Sequence, residues 1–161
     1  MMSDERDVQQ VMARYTRAAD GRDAAAMSAL FMPDARVEVF LSQDGTLEQM
    51  GQIDGAETIG HAVAGLMLPH PPRGWSHHTT FDSIIEVNGD VATLDAQFIV
   101  YNTVGDEKPA AGWPAGAFGA QGTIRPIEAG YYRPSLRRVD GAWKIEHLNI
   151  VHDLPYAFPG A

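Results

Sequence analysis

Two long β-patterned segments on either side of a tight-turn sequence constrain the fold of this chain more than any other feature. They run from Thr79 to Val87 and from Val91 to Thr103, with Asn88-Gly89-Asp90 between them. Asn and Gly tolerate the positive φ angles of a two-residue turn, so this pattern is typical of a β-hairpin. The second segment alternates, and one face carries Ala92, Leu94, Ala96, Phe98 and Val100. The other face is mixed rather than uniformly charged, so we expect both faces of this hairpin to be covered.

Helical spacing dominates the first part of the chain instead. Apolar residues recur every three or four positions after Ser3, which is expected to cap a helix that ends at Asp20-Gly21. Asp23 is expected to cap a second, short helix that includes Phe31 and stops at Pro33-Asp34. These patterns place two helices before the first strand.

The remaining segments complete the order of elements. Asp54 and Glu57 have the spacing of a capping box and predict a third helix. Residues 105–122 are rich in Gly, Ala and Pro and are interpreted as a long loop or lid. A final hairpin is expected from about Ile127 to His152. Helices gathered first and strands last predict an α+β fold. No linker divides the chain, so residues 1–161 are expected to form one domain.

Composition excludes several classes of function. The chain has 161 residues, and its 12 basic and 21 acidic residues give a net charge of −9, which opposes a nucleic-acid partner. It has no cysteine, so disulfides and thiolate metal sites are excluded. We expect neither a signal peptide nor a membrane segment, and therefore a cytoplasmic protein.

Four stretches of the chain resemble the nuclear transport factor 2-like superfamily, and within it the SnoaL-like and scytalone dehydratase-like branch. They are residues 15–20, Leu30 to Ala35, Ser76-His77-His78, and residues 130–132 with the segment from Val139 to Ile145. The resemblance implies a cone-shaped fold, in which a curved, mainly antiparallel mixed sheet wraps around the N-terminal helices and encloses a pocket. It also implies a homodimer formed through the outer face of the sheet.

The adjacent histidines His77 and His78 are the strongest candidates for chemistry. Neighbouring residues of a strand point to opposite faces, so at most one of them faces a pocket. The resemblance selects His77 as the acid/base and Asp20 as the carboxylate that orients it, with Tyr15 as a hydrogen-bond donor to substrate. Two structural roles remain open as alternatives: Asp20 as the end of a helix, and His77 as a loop histidine.

Related dehydratases keep polar or aromatic partners at positions where this chain differs from them. Their second strand histidine falls at Asp95, and their tyrosines fall at Ala19 and Val39. Their asparagine near the final hairpin falls at about Tyr132. The resemblance therefore implies the Asp-His pair without the network of polar groups around the substrate. The base expected of ketosteroid isomerase-like relatives is also missing, which argues against steroid chemistry.

Other residues are predicted to contact a small hydrophobic molecule. The predicted substrate-contacting residues are Asp95, Trp75, Trp113, Phe118, Tyr132, His147 and Asn149. His147 and Asn149 are included because they alternate with Trp143 and Ile145 on the last strand. The chain lacks a tight metal motif and a Gly-rich phosphate loop, so we expect no metal and no cofactor.

The function expected from these observations is that of a small cofactor-free lyase or isomerase. It would be dehydratase- or cyclase-like and act by His-Asp acid/base chemistry on a hydrophobic cyclic molecule. Two other functions stay open: a non-catalytic member that binds a small ligand, and a small structural subunit like those of aromatic-ring dioxygenases.

Overall fold

The computed structural model describes residues 3–158, which form three helices and six strands. The elements, in chain order, are α1 (Asp4–Gly21), α2 (Ala24–Ser28), β1 (Phe31–Gln43), β2 (Thr46–Asp54), α3 (Ala56–Gly65), β3 (Gly74–Asn88), β4 (Val91–Gly105), β5 (Gly122–Val139) and β6 (Ala142–His152). The expected α+β architecture is therefore confirmed. Met1 and Met2 at the acidic N-terminus, and residues 159–161, lie outside the described residues.

The strands form one curved, unclosed sheet in the order β2-β1-β6-β5-β4-β3. All neighbours are antiparallel except β1 and β6, which run parallel. The predicted hairpin is present, with Asn88 opposite Val91. Its apolar face, Ala92 to Val100, is buried on the concave side of the sheet.

Helix starts follow the predicted capping chemistry at two of three positions. The Ser3 hydroxyl accepts the Arg6 amide at 3.3 Å, and the Asp23 carboxylate accepts the Ala26 amide at 2.9 Å. The capping box predicted at Asp54 is wrong, because Gly55 is the N-cap of α3 and no side chain caps it. Asp54 instead pairs with Arg36 across β1 and β2.

Helix α1 ends at Gly21 as predicted, and the left-handed residue that follows it is Arg22, with φ 52°. The end of the second helix differs from the sequence-based expectation. The second helix ends at Ser28, and Phe31 already belongs to β1, because β1 pairs with β6 from Phe31 onward. Pro33 therefore lies inside a strand, in the stretch between Phe31 and Arg36 where the pairing is interrupted.

The core lies between α1 and the concave face of the sheet. Tyr15 of α1 contacts Phe31 and Tyr132 edge-on, with ring centroids 6.3 and 5.2 Å apart. Helix α3 packs on α2 so closely that a Cβ on Gly60 would overlap the carbonyl of Ala24. Within residues 3–158, no helix is long and apolar enough to cross a membrane.

Candidate active site

The concave side of the sheet encloses a cavity of about 410 Å³. Most of its wall is apolar and comes from β1, β2, β6, α3 with the residues just after it, and the C-terminal segment. Its apolar residues include Val39, Met50, Ile59, Val63, Met67, Ile150 and Phe158. The polar side chains that line it are few: Tyr15, Gln52, His78, Glu128, Tyr132, His152 and Tyr156. A mostly apolar cavity with a few convergent polar groups is the usual form of a small-molecule site.

Asp20 and His78 form a buried pair at this cavity. The Asp20 carboxylate oxygen Oδ1 lies 2.6 Å from His78 Nδ1 and also accepts the backbone N–H of His78 at 2.8 Å. Their side chains are only 9% and 8% exposed, respectively. Because an ionised carboxylate only accepts, Nδ1 carries a proton, and in the neutral form of the ring Nε2 holds the free lone pair.

The sequence-based pairing of Asp20 with His77 is therefore wrong. His77 is exposed, lies on the outer face of β3 opposite Tyr101, and approaches Trp75 at 6.5 Å. His78 lies opposite Val100, which is 1% exposed on the concave side. Strand alternation permits only one of the two histidines inside, and the register of β3 on β4 selects His78.

His70 holds both partners of the pair in place. Its Nδ1 accepts the Ser76 amide at 2.9 Å, so its Nε2 carries the proton and donates to the backbone carbonyl of Asp20 at 2.8 Å. Trp75 stacks on the His70 ring with centroids 3.9 Å apart. Trp75 was predicted to line the pocket, but it is 41% exposed and covers His70 from outside instead.

Two tyrosines face the cavity beside the Asp-His pair. Tyr15 and Tyr132 both line it, as expected from the sequence. Burial raises the pKa of both phenols, and nearby Glu128 adds to the effect. Both hydroxyls therefore stay protonated and available as donors at neutral pH.

Besides His78, sequence reasoning missed three titratable cavity residues, His152, Glu128 and Tyr156. His152 is 7% exposed, contacts Phe98 edge-on at 5.7 Å, and lies near Tyr156 at 4.8 Å. Burial, followed by repulsion from His78 when that ring is protonated, lowers the pKa of His152 to about 4, so its ring is neutral at pH 7. Burial raises the pKa of Glu128. Strand alternation could have identified Glu128 and His152, because Glu128 shares a face with Tyr132, and His152 shares a face with Leu148 and Ile150.

The predicted contacts His147, Asn149 and Asp95 lie on the outer face of the sheet. His147 Nε2 is 2.6 Å from Glu38, and Asp95 pairs with Arg133 at 2.9 Å. The placement of His147 and Asn149 in the pocket is wrong because β6 contains a bulge. Ile145 pairs with Leu136 and His147 with Ser135, so one extra residue reverses the alternation of β6. Asp95 is outside because its neighbours Leu94 and Ala96 point inward.

The loop aromatics do not reach the cavity either. Residues 106–121 contain no helix or strand, and Trp113 and Phe118 there are 40% and 97% exposed. Their prediction as cavity walls is wrong, since α3 and the segment carrying Tyr156 and Phe158 occupy that role. Among residues 3–158, no three His, Asp or Glu side chains are grouped as a metal site requires.

A family model for the SnoaL-like domain matches residues 1–149. The chain belongs to the SnoaL-like domain family. This confirms the resemblance seen in the sequence, and it places the Asp20–His78 pair inside a SnoaL-like fold. The sequence has no significant match among curated proteins.

Solved structures support the same fold for this SnoaL-like protein. An NTF2-like protein with a cystatin-like fold from Novosphingobium aromaticivorans is 20% identical, with a TM-score of 0.66 over 96% of this chain and 84% of the other. The beta subunit of a proposed aromatic-ring-hydroxylating dioxygenase from the same species is 16% identical, with a TM-score of 0.66 over 94% and 90%. The hexachlorocyclohexane dehydrochlorinase LinA-type3 from Novosphingobium barchaimii is 18% identical, with a TM-score of 0.62 over 97% and 90%.

Proposed function

We propose that this SnoaL-like protein is a lyase or isomerase that removes a proton next to a carbonyl group of an uncharged, hydrophobic cyclic molecule. The observation that carries the proposal is the Asp20–His78 pair, buried together at 2.6 Å beside a largely apolar cavity. A neutral imidazole whose far nitrogen carries no proton is suited to this step.

The chemistry follows from the arrangement of these side chains. His78 Nε2 takes the proton from the carbon next to the carbonyl, and Asp20 stabilises the imidazolium that forms. Negative charge then develops on the carbonyl oxygen. The Tyr15 and Tyr132 hydroxyls line the cavity and stay protonated, so they are the donors available to that oxygen. The proton returns to another carbon in an isomerisation, or a leaving group departs in an elimination.

Catalysed exchange of carbon-bound hydrogen tests this function without knowledge of the natural substrate. Cyclohexanone in D₂O is incubated with the protein, and uptake of deuterium next to the carbonyl is followed by ¹H NMR. We expect exchange above the buffer rate, and a decrease of about 10–100-fold in Asp20→Asn, because the orienting carboxylate is lost. Asp95→Asn on the outer face is the control and should exchange like the wild type.

Two other results would favour the alternative functions. Binding of hydrophobic cyclic molecules without exchange or turnover in a dehydration and isomerisation panel would favour a ligand-binding protein. Stable co-purification with a larger iron-containing protein would favour a structural subunit. This second alternative draws on the similarity to a dioxygenase beta subunit.

The same proposal includes a homodimer formed through the outer face of the sheet. Trp75, Phe81 and Ile84 share the outer face of β3 and are 41%, 37% and 68% exposed. Three large apolar side chains on one exposed sheet face are typical of a surface that another protein covers. A second copy of this chain would bury them while the cavity on the concave side stays accessible.

A further inference from the structure

Among the residues of 3–158 that line the cavity, Glu128 is the one carboxylic acid, and the Asp-His pair does not use it. It lies on β5 opposite Val100, and Val100 in turn lies opposite His78 on β3. Glu128 and His78 thus occupy the same row of the concave face, two strands apart. Two strand spacings separate their Cα atoms by about 10 Å, which leaves room for one small ring between the side chains.

The surroundings of Glu128 keep its carboxyl available for proton transfer. Its side chain lines the cavity, and burial is the largest influence on its pKa. Burial raises the pKa of Glu128, and the charge of Arg22, together with that of His78 whenever its ring is protonated, offsets that rise only in part. A carboxyl that stays protonated nearer neutral pH is a proton donor rather than a binding site for a cation.

We propose that Glu128 is a second catalytic residue of this cavity, the general acid that protonates a departing oxygen while His78 removes a proton from the neighbouring carbon. The inference rests on the proposed function and narrows it to the loss of water from a cyclic β-hydroxy ketone. The leaving group is an oxygen because only a basic leaving group needs the proton of a neutral acid.

The step balances without any further reactant. His78 Nε2 takes the hydrogen from the carbon next to the carbonyl, and the electron pair of that C–H bond forms the C=C double bond. The C–O bond at the next carbon breaks, and its electron pair takes the Glu128 proton, so water leaves. The protein then holds an imidazolium and a carboxylate. Transfer of one proton from His78 to Glu128 through water restores both groups.

A halide leaving group gives the sharpest contrast, because chloride departs without a proton. The two probes are 3-hydroxycyclohexanone and 3-chlorocyclohexanone, which both give cyclohex-2-enone and are followed by its ultraviolet absorbance. In Glu128→Gln we expect the loss of water to slow by about 10²–10⁴-fold. Loss of chloride should change by less than about threefold relative to the wild type. Glu48→Gln, which changes an exposed glutamate on β2, is the matched control.

The outcomes separate this inference from the proposed function. Glu128 is not the acid if Glu128→Gln dehydrates the hydroxy ketone at the wild-type rate. It is also not the acid if the wild type exchanges cyclohexanone hydrogens but never dehydrates the hydroxy ketone. In both cases, persistent exchange leaves the proposed role of His78 as the base intact. If the wild type catalyses neither exchange nor elimination, both proposals fail. A ¹³C NMR titration of the Glu128 carboxyl is an independent check. We expect a midpoint above that of Glu48, and an equal midpoint would overturn the inference.

Discussion

Asp20 Oδ1 accepts two hydrogen bonds from His78, one from its backbone N–H at 2.8 Å and one from its ring at 2.6 Å. A single carboxylate oxygen at the end of α1 thus fixes both the main chain and the side chain of a residue in β3. A negative charge in the last turn of a helix opposes the helix dipole, and these two donors offset that cost. The pair therefore connects fold stability with the proposed chemistry.

Removing this carboxylate should destabilise the fold as well as slow exchange. In Asp20→Ala the buried His78 amide loses its acceptor, which costs about 1–3 kcal/mol. The free energy of unfolding from urea titrations measures the change. Asp95→Ala is the matched control, because its ion pair with Arg133 is more than 40% exposed on each side and is worth about 1 kcal/mol or less. Equal losses of unfolding free energy in the two variants would mean that the hydrogen bonds of Asp20 contribute no more to stability than an exposed ion pair.

The neutral state of His152 predicts how stability depends on pH. Its pKa is lowered from 6.5 to about 4 in the folded protein, so between these values the unfolded chain binds more protons than the folded one. Stability from this residue is therefore present above pH 6.5 and is lost as the pH falls toward 4. We expect His152→Gln to flatten the pH dependence of the unfolding free energy in that window.

His61 provides the control for that measurement, since it is an exposed histidine on α3. His61→Gln should leave the pH dependence unchanged. An unaltered slope in His152→Gln would show that His152 titrates normally and that the cavity does not exclude its charged form.

The outer face of the sheet should control self-association. Ile84→Glu places a charge among Trp75 and Phe81, so a dimer formed there should dissociate to monomers in sedimentation or light-scattering measurements. Leu47→Glu on β2 is the matched control, because Leu47 is 56% exposed but lies at the other edge of the sheet. A wild-type protein that is monomeric at high concentration would rule out this interface.

The sequence determined the order of elements and the apolar face of β4 because those features depend on local spacing. Ser3 and Asp23 cap their helices as predicted, and Gly89-Asp90 forms the turn of the predicted hairpin. Alternation within β4 also identifies the concave face without knowledge of its partners. These patterns come from hydrogen bonds and side-chain periods within a few residues.

The choice between the two histidines depends on a bulge that local patterns do not reveal. Counting back from the turn without interruption would place His77 on the concave face, because Ile84 pairs with Asp95 and Ile85 with Leu94. One extra residue between Phe81 and Ile84, where Asp82 has φ 51°, shifts the register. His78 then lies opposite Val100, and every residue before the bulge changes face.

A similar bulge explains the error on β6. The extra residue between Ile145 and His147 turns Leu148, Ile150 and His152 inward. Side chains after the bulge point to the opposite face from the one that uninterrupted alternation predicts. A site predicted from uninterrupted alternation therefore includes His147 and omits His152. Tyr15 lies in a helix, whose period a strand bulge does not affect, and the pairing of β5 with β4 is uninterrupted around Tyr132.

The most direct test of the central claim is to compare His78→Gln with His77→Gln in the cyclohexanone exchange measurement. The two substitutions change the same residue type at adjacent positions on opposite faces of β3. We predict that His78→Gln lowers the exchange rate by about 10²–10⁴-fold while His77→Gln stays within about twofold of the wild type. A larger loss in His77→Gln, or full activity in His78→Gln, would contradict the assignment of His78 as the base.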